Sequence, residues 1–413
     1  MNILWSVNTL MPDVAKMVGT KSSHAISWVD AMSKELIKDK NVNLAIAAVG
    51  NVHEVKYYSI GGILYYVLPT NVSESDWVNV ISTFKPDIIH AYGTEKTHNM
   101  PLIGSSKIKV PIVISLQGIL TQYERFYYGG IDVGTLIKNI TIRDIIRGTV
   151  FQERERFIKQ SKNERWMLQH VKYVEGRSTW DKVSSLGINP NLDYYHCPRL
   201  IREPFYNIHW SHDNMERHSI FVHQGNYPIK GLHFVFEAME TILKKYPDAK
   251  LYIAGNDVLH KSNWKQKILR NGYSKYLKSL FSKYHLENHV IFTGTMSATE
   301  VAKFLSKMNV LVIPSVIENC PNSLAEGMLV GVPSVVSYVG GNAELLNNGE
   351  CGELYCYNEP LMLAHCVDRI FSSKELAINY SKKASAVASQ RHDPNVLKQQ
   401  LLSIYNKIIE KEK

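Results

Sequence analysis

The stretch NVLVIPSVIENCPNSLAEGMLVGVPSVVSYVGGNAE, residues 309–344, decides how this chain folds. Val310-Leu311-Val312-Ile313 is a short apolar run that stops at Pro314-Ser315, the mark of a strand covered on both faces. From about Ser323 the apolar spacing turns helical, and Gly331-Val332-Pro333 ends that helix. Ser334–Tyr338 is the next apolar run. Strand, loop, helix, strand is the repeating unit of a parallel α/β sheet. A loop that leaves the carboxyl end of such a strand and opens a helix is where these sheets take ligands.

Working outward, the same alternation runs through the chain. Expected strands in the first half are Ile3–Val7, Val42–Ala48, Asp87–His90, Ile112–Leu116 and Val171–Val174. Ala25, Trp28, Val29, Met32 and Leu36 follow helical spacing between the first two. In the second half the strands are Ser219–His223, Lys250–Ala254, Val290–Phe292, Val310–Ile313 and Ser334–Tyr338. Leu232, Val235, Phe236, Met239, Ile242 and Leu243 make one helical stripe. Ser297-Ala298-Thr299-Glu300 is a capping box. The polar, Pro204-bearing stretch Ile201–Arg217 separates two complete α/β patterns. We therefore expect two Rossmann-like domains, residues 1–203 and 204–392, facing across a cleft. Asp393-Pro394 opens a last helix, 393–413, with Leu397, Leu401, Ile404, Tyr405 and Ile408 turned inward toward the first domain.

Composition narrows the function. The chain has 413 residues, 45% hydrophobic and 21% charged, so a soluble globular protein is expected in place of a coiled coil or a disordered chain. Lys plus Arg outnumber Asp plus Glu by 47 to 38, a net of +9 that suits anionic partners. That charge has no recognised module or aromatic platform for nucleic acid, which is not expected as a partner. Five cysteines without a CxxC pair argue against a zinc cage or disulfide framework and for a reducing cytoplasm. The start, Met1–Val7, reads as a buried strand and not as a leader. No apolar run of about 18 residues is present for a membrane span. No G-x-G-x-x-G follows a strand and no G-x-x-x-x-G-K-[ST] occurs, so a nucleotide would have to be held by other means.

Glu318 and Glu326 stand out in the deciding stretch. Carboxylates are natural acceptors for the vicinal hydroxyls of a ribose or a sugar, and the helix start nearby favours a phosphate. A structural reading stands beside this one: Ser323-Leu324-Ala325-Glu326 is also a capping box, which would make Glu326 part of the helix end.

Taken together, Glu318 and Glu326 resemble the E-x7-E signature of family-4 (group 1) glycosyltransferases, which have the GT-B fold. Pro86-Asp87-Ile88-Ile89-His90 resembles that family's "PDIIH" strand. Gly225–Gly231 resembles its "G-R-x-x-x-x-K-G" loop, and Val339-Gly340-Gly341 with Glu344 its "vGG-x-x-E". Leu251–Gly255 and Val290–Gly294 resemble its intervening strands. The resemblance implies a retaining transferase that moves a sugar from a nucleotide-diphosphate sugar to a hydroxyl acceptor. It implies Glu318 at the reacting centre, Lys230 against the leaving diphosphate and Glu326 on the ribose, with Asn322, Ser323 and Asn226 also on the donor. Gly19, in Gly19–Ser23, resembles the family's glycine loop that faces the donor phosphate across the cleft, which implies a donor contact. Gln117 and Arg177 are candidate acceptor or sugar contacts. The structural alternatives are a solvated lysine for Lys230 and a plain ion pair for Arg177. No D-x-D triplet occurs, so neither metal nor other cofactor is expected, and Lys230 would do the work of an ion.

The pattern departs from the family at three points. Asn226 replaces the usual arginine in a loop one residue shorter, Pro321 removes a backbone donor, and Gln117 stands where a histidine is common. Gln117 can hydrogen-bond a hydroxyl yet cannot serve as acid or base. Two competitors are therefore kept: a GT-B nucleotide-sugar epimerase and a non-catalytic nucleotide-sugar-binding assembly subunit. The expected acceptor is a saccharide or lipid-linked saccharide of cell-surface polysaccharide or glycolipid synthesis, in the cytoplasm or at the inner membrane face. Residues 121–180 hold 11 Lys/Arg against 7 Asp/Glu. Leu136, Ile137, Ile140, Ile145 and Ile146 interleave there with Lys138, Arg143 and Arg147. This reads either as a basic amphipathic helix on anionic lipid or, the favoured reading, as a helix covering the first sheet.

Overall fold

The structure, a computed structural model, describes residues 1–20, 27–259 and 270–413. The chain divides into two α/β units. The first comprises Met1–Gln122, Ile158–Ile201 and His392–Lys413; the second comprises Tyr123–Phe157 and Arg202–Arg391.

The first unit is built on eight strands: β1 (Asn2–Val7), β2 (Asn43–Val49), β3 (Lys56–Ile60), β4 (Ile63–Leu68), β5 (Ile88–Tyr92), β6 (Ile112–Ser115), β7 (Tyr173–Gly176) and β8 (Asp193–His196). Their order is β3-β4-β2-β1-β5-β6-β7-β8. All neighbours run parallel except the β3–β4 hairpin. Ile3, Leu4, Trp5 and Val7 are all buried, because β1 lies mid-sheet with both faces covered. The last helix, Pro394–Lys411, is capped by Asp393, whose Oδ1 accepts the N–H groups of Asn395 and Val396. It packs on the first unit as expected. Tyr405, fully buried, accepts a hydrogen bond from Trp5 Nε1 at 3.0 Å and lies 2.6 Å from His90 Nδ1.

The second unit carries β9 (Glu216–Val222), β10 (Lys250–Ile253), β11 (Val290–Phe292), β12 (Met308–Ile313), β13 (Ser334–Ser337) and β14 (Glu353–Tyr355). All are parallel, in the order β11-β10-β9-β12-β13-β14. Counted within the unit this is 3-2-1-4-5-6, the doubly wound order, and its direction of winding reverses between β9 and β12. The Ser297 capping box opens helix Ala298–Leu305 as expected.

Three sequence expectations change. The strand list above lacks β3, β4, β8 and β14; β3 and β8 are edge strands with little buried surface, so no apolar run announces them. Tyr123–Phe157 clusters with the second unit, although residues 1–203 were expected as one domain. Residues 131–147, expected on the first sheet, are part of this segment and cluster with the second unit. They form two six-residue helices, Val133–Lys138 and Ile142–Arg147, and not one long helix, because Gly148 and Asn139 terminate them. Lys21–Ser23 of the glycine loop and Ala25 lie outside the described residues.

Candidate functional site

The winding reversal of the second sheet leaves a gap at the carboxyl ends of β9 and β12, and the two loops that leave those strands meet there. From β9 the chain runs through His223 and Asn226 to the single turn Pro228–Lys230, then Gly231, then helix Leu232–Lys245. From β12 it runs through Pro314–Pro321 into helix Asn322–Val330. Val316 N–H donates to Ile229 O at 2.8 Å, tying the loops together. Gly231 has φ +70°, and a Cβ there would lie 1.9 Å from Pro314 O. Gly340 has φ +51°, and a Cβ there would lie 1.7 Å from Glu318 O. Only glycine permits both the backbone angle and the approach. The glycines of the "K-G" and "vGG" segments thus press from two sides on the loop that carries Glu318.

Lys230 and Glu318 form an ion pair at this place, in close contact between Nζ and Oε1. Ser315 Oγ donates to the same oxygen at 3.0 Å. The lysine side chain is one-fifth exposed, so it is not the solvated lysine of the structural reading. Burial works against its charge, yet the Glu318 carboxylate outweighs that and raises its pKa, so Lys230 is a fixed cation.

Glu326 sits one turn into helix Asn322–Val330, as expected, and is buried. It does not close a capping box. The residue at the N-cap position is Pro321, with no side-chain cap, and Ser323 lies inside the helix. Glu326 instead accepts from Arg202, Nη2 at 2.6 Å and Nε at 3.1 Å on Oε1. Burial pushes its pKa up to about 6, against the pull of Arg202. His223 Nε2 lies 3.9 Å from the other carboxylate oxygen and has no hydrogen-bond partner among the described residues. Burial first, then the charges of Arg202 and Lys230, lowers the His223 pKa to about 4. This imidazole is neutral at physiological pH and joins the two ion pairs into one neighbourhood. Arg202 and His223 escaped the sequence reading. Arg202 stands in a linker with no periodicity, while His223 had a weak signal as a polar residue ending an apolar strand.

Asn322 and Ser323 form the first turn of that helix, whose N–H groups point along its axis. Asn226 is exposed and borders a cavity with Tyr227 and Ile229, in the loop that leads to Lys230. Among the described residues, no hydrogen bond links its side chain to Glu318 or Glu326.

The other three candidates belong to the first unit and follow its strands. Gly19, after β1, has φ +69° and open space where a Cβ would stand. Gln117 follows β6, its Nε2 3.0 Å from where a Cβ of Gly93 would be. Arg177, following β7, donates from Nη2 to Gln117 O at 2.7 Å. It holds the Gln117 loop.

Residues 206–387 match the family of glycosyl transferases, group 1. The Bacillus subtilis protein YtcC, a glycosyltransferase by name, is 31% identical over 159 residues, 38% of this chain and 37% of that protein. N-acetyl-alpha-D-glucosaminyl L-malate synthase of Bacillus anthracis is 22% identical over 55% of this chain and 57% of its own length. The chain thus spans less than two thirds of these relatives. Among solved structures, sucrose-phosphate synthase from Thermosynechococcus elongatus superposes with TM-score 0.72 at 14% identity, over 100% of both chains. HepE of Anabaena, solved with UDP and glucose, gives TM-score 0.68 at 16% identity over 98% of this chain and 100% of its own. The fold is GT-B.

Proposed function

We propose that this chain, whose residues 206–387 are a group 1 glycosyl transferase domain, is a retaining glycosyltransferase that moves a sugar from a nucleotide-diphosphate sugar to a hydroxyl acceptor. The observation that carries the reading is the Lys230–Glu318 ion pair, placed where the winding of a nucleotide-binding type of sheet reverses. In the reaction, the bond between the anomeric carbon and the diphosphate oxygen breaks, and a bond to the acceptor oxygen forms on the same face. Negative charge grows on the departing diphosphate. Lys230, together with the N–H groups of the turn at Asn322 and Ser323, would meet that charge as it develops. Glu318 would face the donor sugar, and Glu326, oriented by Arg202, would accept from the ribose hydroxyls. Lys230 supplies the positive charge, so no metal enters the proposal.

HepE shares the fold and is solved with UDP and glucose, which supports a UDP-sugar as the donor. Gln117 would contact the acceptor, a saccharide or lipid-linked saccharide, and Gly19 the donor phosphate. The reaction would take place in the cytoplasm or at the inner membrane face. Among the described residues no helix is long and apolar enough to cross a membrane.

The test is a thermal-shift screen of the purified chain against UDP-, GDP-, ADP- and dTDP-sugars, followed by transfer assays with the donor that stabilises it. Sugar release onto an added acceptor, lost in Lys230→Ala, supports the reading. Donor isomerisation without acceptor, or stabilisation with no turnover under any acceptor, overturns it.

A further inference from the structure

Tyr123–Phe157, the part of the chain that joins the second unit, holds an unusual surface. Ile142, Ile145 and Ile146 are 63%, 71% and 74% exposed, and Val133 and Ile137 beside them are also more than half exposed. These side chains are not exposed by fraying. Asp132 and Thr141 cap the two helices, Thr141 Oγ1 donates to Arg270 O at 2.8 Å, and Lys275 Nζ donates to Lys138 O at 3.0 Å. A rigid apolar patch held in water marks an interaction surface.

Its charge says what kind. Asp132 and Asp144 are both occupied as helix caps, accepting from Thr135 N–H and Thr141 N–H. Lys138 and Arg147 have no ion-pair partner among the described residues and flank the isoleucines. Apolar side chains framed by free cations match the interface of an anionic bilayer. Behind the patch lies a cavity of about 300 Å³, lined by Ile131, Leu136, Ile140, Phe157, Ile229 and Tyr273 among others. Arg143, Asp144 and Glu153 also reach its wall, so its size and mostly apolar lining suit a hydrocarbon chain with a polar end.

We propose that residues 131–147 and the cavity behind them are an anionic-lipid site. Ile142, Ile145 and Ile146 enter the bilayer interface, Lys138 and Arg147 meet its phosphates, and one hydrocarbon chain occupies the cavity. One wall of the cavity is the loop Asn226–Ile229 that leads to Lys230, yet the site's assay contains no sugar nucleotide, so its failure is separate from a failure of the transfer reaction.

Flotation of the full chain with phosphatidylglycerol-containing vesicles tests the surface, with pure phosphatidylcholine vesicles as control. Recovery with the anionic vesicles should exceed the neutral control at least tenfold and fall in high salt. The triple variant Ile142→Ser, Ile145→Ser, Ile146→Ser should abolish it with an unchanged melting temperature. Dansyl-undecanoic acid tests the cavity: its fluorescence should rise and saturate with the wild-type chain, and fail to do so with Ile140→Trp or Thr135→Phe, each checked by its melting curve. No flotation, equal flotation with neutral vesicles, or a triple variant that still floats overturns the surface. Sedimentation showing a dimer that the triple variant dissolves, without vesicle binding, would assign the patch to a second copy instead. Probe binding unchanged in both well-folded filling variants overturns the cavity.

Discussion

Arg202 holds Glu326 by one oxygen, through Nη2 at 2.6 Å and Nε at 3.1 Å, and leaves the other oxygen toward His223. A linker residue and a helix residue 124 positions apart are thereby made into one unit. The pair is buried at the glutamate end and part-buried at the arginine end, so its two members are unequal in what their loss exposes.

Removing Arg202 should be the more damaging change. Arg202→Ala strands a buried carboxylate, which costs about 3–5 kcal/mol. Adding Glu326→Gln removes that charge and should recover much of the loss. Denaturant unfolding of the two single variants and the double gives the coupling; additive losses would mean the pair does not act as a unit.

Glu326 should also set a pH dependence. Its folded pKa, about 6, lies above the ordinary 4.5, so the protonated form is the one folding favours. Its contribution to stability is full below about 4.5 and declines as pH rises through about 6. Nucleotide binding should show the opposite slope, because only the ionised carboxylate is a full acceptor for ribose hydroxyls. Affinity for UDP is expected to climb between pH 5 and 7 by roughly tenfold, the scale of one charge-assisted hydrogen bond. Calorimetric titration across that range checks it, and Glu326→Gln should flatten the profile.

Lys230→Ala should lower kcat by about 10²–10³, the usual loss when one preorganised charge at a developing anion is removed. Glu318 keeps Ser315 as a partner, so the fold should persist by circular dichroism. A variant with wild-type kcat would remove Lys230 from the leaving-group role.

Gly340→Ala should be harmful although it adds a single methyl group. The Cβ would collide with Glu318 O, and the residue would also carry a left-handed φ, which costs roughly 1–2 kcal/mol by itself. We expect a lower melting temperature and a larger fall in transfer than in stability, since the Glu318 loop must move. Activity unchanged at a lowered melting temperature would show that the loop's position does not matter.

Tyr405→Phe should cost about 1–3 kcal/mol, because Trp5 Nε1–H and His90 Nδ1 both lose their partner in a dry core. Thermal unfolding reports it, and a loss under 0.5 kcal/mol would mean water takes the hydroxyl's place.

Much of this molecule is legible in one dimension. The buried parallel strands, the helix stop at Gly331, the Asp393 cap and the place of Glu326 one turn into its helix all follow from local pattern: a strand covered on both faces must be apolar throughout, and a helix must begin and end on particular residues. The positions of Lys230, Glu318 and Glu326 were likewise readable as motifs. Which side chains meet was decided only in three dimensions. Arg202 and His223 carry no periodic signal, since a salt bridge across 124 residues depends on sheet order and not on spacing. The affiliation of residues 123–157 with the second unit is of the same kind. Periodicity tells which face of a segment is apolar, but what covers that face, or leaves it bare as at Ile145 and Ile146, is settled by the packing of the whole chain.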